Sequence, residues 1–157
     1  MELLQRHHSG IKRLRENKSH ECITETESGI SLYYLNCNNC TISVPNKVVK
    51  IFFENCHNCY VIIKHCVTPI EVLRCEMTHF IVKGGNFIQL DLSKTILIDL
   101  INVVLDFYVV YCKTWDIIVN IPVHNKHYEL FNDYFGEQFR TDILFNLPEI
   151  TFKTHRI

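Results

Sequence analysis

Apolar and polar positions alternate along most of this chain, and the alternation is written more than once. Leu32 to Val44 reads Leu-Tyr-Tyr-Leu-Asn-Cys-Asn-Asn-Cys-Thr-Ile-Ser-Val, and Lys50 to Ile63 repeats it as Lys-Ile-Phe-Phe-Glu-Asn-Cys-His-Asn-Cys-Tyr-Val-Ile-Ile. Cys37 to Cys56 is a step of nineteen positions, as is Cys40 to Cys59, and the same step reaches Cys75. Looser copies run from Phe87 to Leu100, with Leu92 in the cysteine place, and from Phe107 to Pro122, with Cys112 there. A fixed period of this length marks a repeat architecture, in which one unit cannot bury its own apolar face but a stack can.

Each copy predicts strand, short polar turn, strand. Val, Ile, Phe and Tyr favour a pleated surface, while Asn tolerates the tight conformations between strands. In a parallel stack equivalent positions fall about 4.8 Å apart. Cys37, Cys56, Cys75 and Cys112 then form a ladder at one inner corner of a β-solenoid, a place that suits a small buried thiol. The rival reading is metal: Cys37-x-x-Cys40 and Cys56-x-x-Cys59 have the spacing of a zinc ribbon. The ladder is preferred because the cysteine position continues into Cys75 and Cys112, which lack an x-x-Cys partner.

Taken in order, residues 1–20 read as a polar lead-in and 21–157 as a single domain. Glu21 to Ser28 is a first, imperfect coil. Val44-Pro45-Asn46-Lys47 and Lys83-Gly84-Gly85-Asn86 read as turns between coils. Ile96 to Val110 also fits a helical period, but its β-branched content and the repeat register favour strand. A charged, aromatic break from His124 to Gly136, with Tyr128, Phe131, Tyr134 and Phe135, is placed to cover the open end of the stack. About residues 146–157 form a C-terminal extension with an alternating strand, Glu149 to Lys153.

Composition narrows the function classes. A net charge of −1 leaves no basic field for nucleic acid or an anionic membrane. The greasiest stretch, Thr95 to Tyr111, is broken by Asp99, Asn102 and Asp106 and is no membrane span. The first residues lack an apolar signal-peptide core, and eight cysteines without one imply a reduced, cytoplasmic protein. No phosphate loop, dinucleotide turn or nucleophile elbow is present, so neither a cofactor nor catalysis is expected.

The phrases Glu25-Thr26-Glu27, Cys40-Thr41-Ile42, Lys47, Ile51 through Asn55-Cys56, Val67-Thr68-Pro69-Ile70-Glu71-Val72, Asn120-Ile121-Pro122 and Glu137-Gln138-Phe139-Arg140-Thr141 occur in an order and at intervals that carry a resemblance. Over about residues 11 to 155 the sequence resembles the C-terminal domain of cyclase-associated protein. That resemblance implies an all-β, right-handed parallel β-helix with a C-terminal strand extension. It also implies a homodimer made by exchanging C-terminal strands, here Leu147, Pro148, Glu149, Ile150, Thr151, Phe152, Lys153 and Thr154. The implied partner is monomeric, ADP-bound actin, whose nucleotide exchange the family promotes without chemistry of its own, in cytoskeletal turnover. The family's N-terminal domains have no counterpart in the sequence, which reads as a short form.

Two departures matter. The passage Ile88 to Thr95 only loosely echoes the family, and Phe52 stands where a small outward polar residue is usual. An exposed Phe52 with Glu54, near Glu137, Gln138, Phe139, Arg140 and Thr141, is the expected actin contact. On that reading Phe52→Ala weakens binding and leaves melting unchanged. A related β-helix, that of tubulin-folding cofactor C, stimulates GTP hydrolysis with an arginine after a Gln-containing phrase, which would make Arg140 an arginine finger. A zinc module on Cys37, Cys40, Cys56 and Cys59 is the third alternative.

Overall fold

The computed structural model describes residues 13–103, 105–130 and 136–157. Its strands, numbered in chain order, alternate between two sheets. The first sheet takes β1 (Arg13–Glu16), β3 (Ser31–Leu35), β5 (Lys50–Glu54), β7 (Ile70–Leu73), β9 (Phe87–Asp91) and β11 (Phe107–Cys112). The second takes β2 (Cys22–Thr24), β4 (Thr41–Val48), β6 (Tyr60–Cys66), β8 (Glu76–Val82), β10 (Lys94–Leu100) and β12 (Trp115–Ile121). Each pairs in parallel with its neighbours two elements away, giving a parallel β-solenoid of six coils. The described residues between Ile96 and Val110 are strand and connection, not helix.

Inward positions stack into apolar columns, among them Leu32, Ile51, Ile70, Ile88 and Val109, all at most 1% exposed. In the adjacent column Tyr34 stacks on Phe53 at 5.0 Å, and Phe53 meets Phe80 of the other sheet edge-on at 5.2 Å. Parallel strands buried by their own stack need such continuous columns of Ile, Val and aromatic residues.

The corner between sheets is built by left-handed residues in pairs. Asn17, Asn36, Asn55, Arg74, Leu92 and Lys113 all have φ between 48 and 57°. His20, Asn39, Asn58, Met77, Thr95 and Asp116, three residues further on, do too, between 49 and 59°. Asparagine is among the residues that enter this region at least cost. Stacked Asn side chains then bond upward: Asn36 Nδ2 donates to Asn17 Oδ1 (3.2 Å) and Asn55 Nδ2 to Asn36 Oδ1 (2.5 Å).

The corner ladder differs from expectation in its later rungs. Register pairs Leu73 with Asp91 and Asp91 with Cys112, so the partners of Cys75 are Ser93 and Thr114. Cys112 is half-buried and Leu92 is 44% exposed at a left-handed position. The repeat shortens by a residue and then lengthens by two, which shifted the sequence reading. The hydroxyls keep the ladder intact: Cys75 N–H donates to Ser93 Oγ (3.1 Å) and Ser93 N–H to Thr114 Oγ1 (3.2 Å).

Two boundaries also move. The first described solenoid strand is β1, which pairs with β3, so the lead-in boundary at residue 20 falls inside a coil. Residues 1–12 of that lead-in lie outside the described residues. Val44 to Lys47 is not a turn but a bulge within β4: Val44 faces Ile63 and Lys47 faces His65, so Pro45 and Asn46 oppose Lys64 alone. A bulge accepts a proline because its N–H is not needed by the ladder.

The ends are closed by different means. In the first coil Arg13 and Arg15 occupy the columns of Leu32 and Tyr34. They meet Glu27 and Glu25, with Arg15 Nε 3.0 Å from Glu25 Oε1 and Tyr34 Oη donating to the same carboxylate at 3.0 Å. Burial and the Glu25 carboxylate together hold the Tyr34 phenol far above its ordinary range. A terminal coil with polar interior positions is what a solenoid needs to stop. At the other end β13 (Lys126–Glu129) runs antiparallel on β12, while β14 (Gln138–Asn146) and β15 (Glu149–Arg156) form a hairpin antiparallel on β11. Tyr128 of β13 stacks on Phe152 of β15 at 4.4 Å and 4°, bridging the two sheets. Phe131, Tyr134 and Phe135, also expected in this cover, lie outside the described residues.

Candidate functional site

The strand register places Phe52, Glu54, Gln138 and Arg140, of the sequence-predicted residues, on the outer face of the first sheet. One cross-strand row runs Tyr33, Phe52, Glu71, Gln89, Val110, Arg140; its neighbour runs Leu35, Glu54, Leu73, Asp91, Cys112, Gln138. Phe52 and Glu54 thus share a face with Gln138 and Arg140 of the Glu137 to Thr141 phrase. They are not adjacent to it: β7 and β9 and β11 intervene, four strand spacings or about 19 Å. The residues between them (Glu71, Gln89 and Asp91) are not among the contact residues expected from the sequence, although counting from the repeated cysteine places each one.

Phe52 is not an exposed contact. It is 7% exposed and stacks on Tyr33 at 4.9 Å and 16°, with Tyr33 itself at 1%. The Tyr33 hydroxyl donates to Glu54 Oε2, and burial followed by that carboxylate raises the phenol pKa well above its usual range. An aromatic pair in register gains face-to-face contact that a small polar residue lacks, which is why an outward phenylalanine is stable here. Glu54 remains half-buried at the edge of this pair. Further along the same row, burial pushes the Asp91 carboxyl up, partly offset by Gln89 Nε2, which donates to it at 3.1 Å.

Within Glu137 to Thr141 the strand alternation divides the residues. Glu137 and Gln138 are exposed, and Glu137 accepts from Arg156 at 3.0 Å. Phe139 turns inward and stacks on Tyr111 at 5.8 Å. Thr141 is fully buried, 2.7 Å from Thr154 Oγ1, and so holds β14 to β15 rather than meeting a partner. Arg140 donates from Nε to Asp142 (2.7 Å), and its Cζ lies 3.8 Å over the Tyr108 ring. An arginine finger needs a guanidinium free to enter another protein's phosphate site. This one is already held by a carboxylate and a π face, after the last coil, which argues against the GTPase-activating alternative.

Leu147 to Thr154 form the hairpin turn and most of β15. Leu147 (54% exposed), Pro148, Glu149 and Lys153 face solvent. Ile150 and Phe152 pack on the core, and Thr151 and Thr154 are half-buried. In this chain the strand pairs with its own β14.

The four cysteines of the zinc alternative sit in two ladders. Cys37 and Cys56 belong to one ladder and Cys40 and Cys59 to another, at successive inner corners. Cys59 Sγ bonds the Cys37 carbonyl (3.4 Å), and Cys40 Sγ the Asn38 carbonyl (3.3 Å). Among the described residues no group of three or more His, Cys, Asp or Glu is placed to hold a metal ion. Burial pushes the Cys59 and Cys66 thiols up to about 11, and the hydrogen bond to Cys56 raises Cys37 further.

The outer face of the second sheet carries a polar chain that no sequence motif announced. His79 Nε2 lies 2.8 Å from Asp99 Oδ2, Asn120 Nδ2 donates to Asp99 Oδ1 (3.0 Å), and His127 Nδ1 lies 2.6 Å from Asn120 Oδ1. These side chains satisfy one another. No helix among the described residues is long and apolar enough to cross a membrane.

Comparison with known proteins agrees with this architecture. Residues 6–153 match the family model described as adenylate cyclase associated (CAP) C terminal. Among solved structures, the crystal structure of cyclase-associated protein from Cryptosporidium parvum superposes with a TM-score of 0.67 at 24% identity, covering 92% of this chain and 89% of that one. No curated protein matches the sequence.

Proposed function

The chain belongs to the family of cyclase-associated protein C-terminal domains, an actin-binding and non-catalytic fold, and from that premise we propose that it binds ADP-loaded actin monomers and promotes their nucleotide exchange. The observation that carries the reading is the extent of the family match, residues 6–153, which takes in every coil and most of the C-terminal hairpin. The outer face of the first sheet is the contact surface. Glu54, Glu71, Gln89, Gln138 and Arg140 present polar and charged groups in two straight rows across its breadth. Mixed polar rows of that kind orient a partner and suppress wrong ones.

Exchange without chemistry requires only differential binding. A protein that prefers the nucleotide-free state of its partner weakens nucleotide affinity by the same factor, because coupling is reciprocal. The protein acts as a cytoplasmic homodimer joined through Leu147 to Thr154. The exposed outer edge of β15, which has no strand beyond it among the described residues, supports that arrangement.

Release of a fluorescent ADP analogue from monomeric actin tests the function. Faster release at sub-stoichiometric amounts is expected; unchanged release together with no binding to actin refutes it. Light scattering tests the dimer, which a monomeric full-length chain would exclude.

A further inference from the structure

Where second-sheet strands return to the first sheet, the third corner of the solenoid holds a cleft of about 400 Å³. Lys47, His65 and Lys83 line it from consecutive coils. The β4 bulge sets Lys47 directly beside His65, and Lys83 follows Val82, the register partner of Ile63. Among the described residues no carboxylate lines the cleft, and neither lysine there has an ion-pair partner. Like charges brought together without a counter-charge repel, so the arrangement is stabilised by whatever anion enters.

Glycine makes the cleft possible. A Cβ on Gly84 would stand 2.6 Å from His65 Nδ1 and 2.8 Å from the Lys64 carbonyl oxygen. Gly85 has φ +112°, and a Cβ there would stand 3.0 Å from the Cys66 carbonyl oxygen. Only glycines let this turn lie against the coil below. Among the described residues the amides of Gly84, Gly85 and Asn86 donate to no backbone carbonyl, which leaves them for a ligand. The lining also includes the apolar side chains of Val67, Val103 and Leu105.

We propose that this cleft binds an organic phosphate, with the phosphate on Lys47, His65, Lys83 and the Gly84–Gly85 amides, and an apolar body against Val67 and Val103. A phosphate has three oxygens to satisfy, and donors from two lysines, an imidazole and a glycine turn supply them from several sides. The space is several times that of one phosphate, whose volume is of the order of a few water molecules, so it has room for an attached body.

Titration of the full chain followed by amide NMR tests this, with phenyl phosphate, inorganic phosphate and phenol as probes. Phenyl phosphate should shift the Gly84 and Gly85 amides saturably, and inorganic phosphate and phenol should each bind about tenfold more weakly. Lys83→Glu and Lys47→Glu should each weaken phenyl phosphate by about tenfold, whereas Lys94→Glu, the same charge change at the opposite corner, should not. Equal binding of phenol would overturn the anion assignment, and equal binding of inorganic phosphate would overturn the apolar body. Absent shifts, or shifts untouched by either cleft variant, would overturn the site.

Discussion

Phe52→Ala separates a partner contact from a structural residue, and the structure sets the sign. Phe52 points out of the solenoid yet keeps only 7% of its surface, with its ring parallel to Tyr33 at 4.9 Å. Truncating a buried phenylalanine costs about 3–5 kcal/mol. Because this site lies on an outer face that can partly collapse, we take about 3 kcal/mol. For a chain of this size that corresponds to a fall in Tm of about 6–12 °C. The ring stack should appear separately. A double-mutant cycle with Tyr33→Ala, measured by urea denaturation, should return a coupling of about 1 kcal/mol. Actin affinity should change little while the variant remains folded. A destabilisation below about 0.5 kcal/mol, the range of ordinary surface substitutions, would refute the burial of Phe52 and restore it as a contact.

Other substitutions test the corners, the thiols and the capped end. Leu92, a left-handed residue at φ 51°, should become more stable by about 1 kcal/mol as Leu92→Asn, read by chemical denaturation, because Asn enters that region more readily. Asn55→Val, with a β-branched residue at φ 53°, should lose about 2 kcal/mol, and Asn55→Gly much less. Cys59 and Cys66 have folded pKa values raised from 9.0 to about 11, so the unfolded chain releases these protons first. Their contribution is therefore intact below pH 9 and lost as pH rises from 9 to about 11, which denaturant midpoints across that window should show. The exposed Cys22 should react with a thiol reagent before any buried cysteine does. Glu25→Ala leaves Arg15 in the interior column without its partner and should cost about 3 kcal/mol by thermal melting.

The fold was legible because the repeat wrote it out: Cys37, Cys56 and Cys75 fall where the period puts them, and so do the strands on either side. What stayed hidden was the local arithmetic of the later coils. A cysteine, Cys112, drew the register to itself, while Ser93 and Thr114, which hold the ladder, look like turn residues in the sequence. The β4 bulge was hidden for a similar reason, since Pro45-Asn46 reads as a turn until the partner strand shows that pairing resumes beyond it. The candidate site was half legible. Repeat position assigns Phe52, Glu54 and Arg140 to one face, but alternation alone cannot say that Tyr33 lies flat on Phe52 or that Asp142 already holds Arg140. Those depend on which side chains find one another across strands far apart in sequence.

The way the two ends are closed restricts where a partner can bind. A bare solenoid end offers unpaired backbone and an open core, the strongest attractions such a fold has. Here the first described coil places Arg13 and Arg15 in the columns of Leu32 and Tyr34 and pairs them with Glu27 and Glu25, so it presents charge that is already neutralised. The last coil is covered by antiparallel strands from both sheets, joined where Tyr128 meets Phe152. Stacking further protein on the first end would mean desolvating those ion pairs, and on the last end, displacing the aromatic bridge. The sides carry no such penalty. The first sheet offers side chains in rows about 4.8 Å apart, on a backbone whose hydrogen bonds are already made. Recognition there rests on side-chain chemistry alone, so single substitutions at Glu71, Gln89 or Arg140 should alter partner affinity without disturbing the coils beneath.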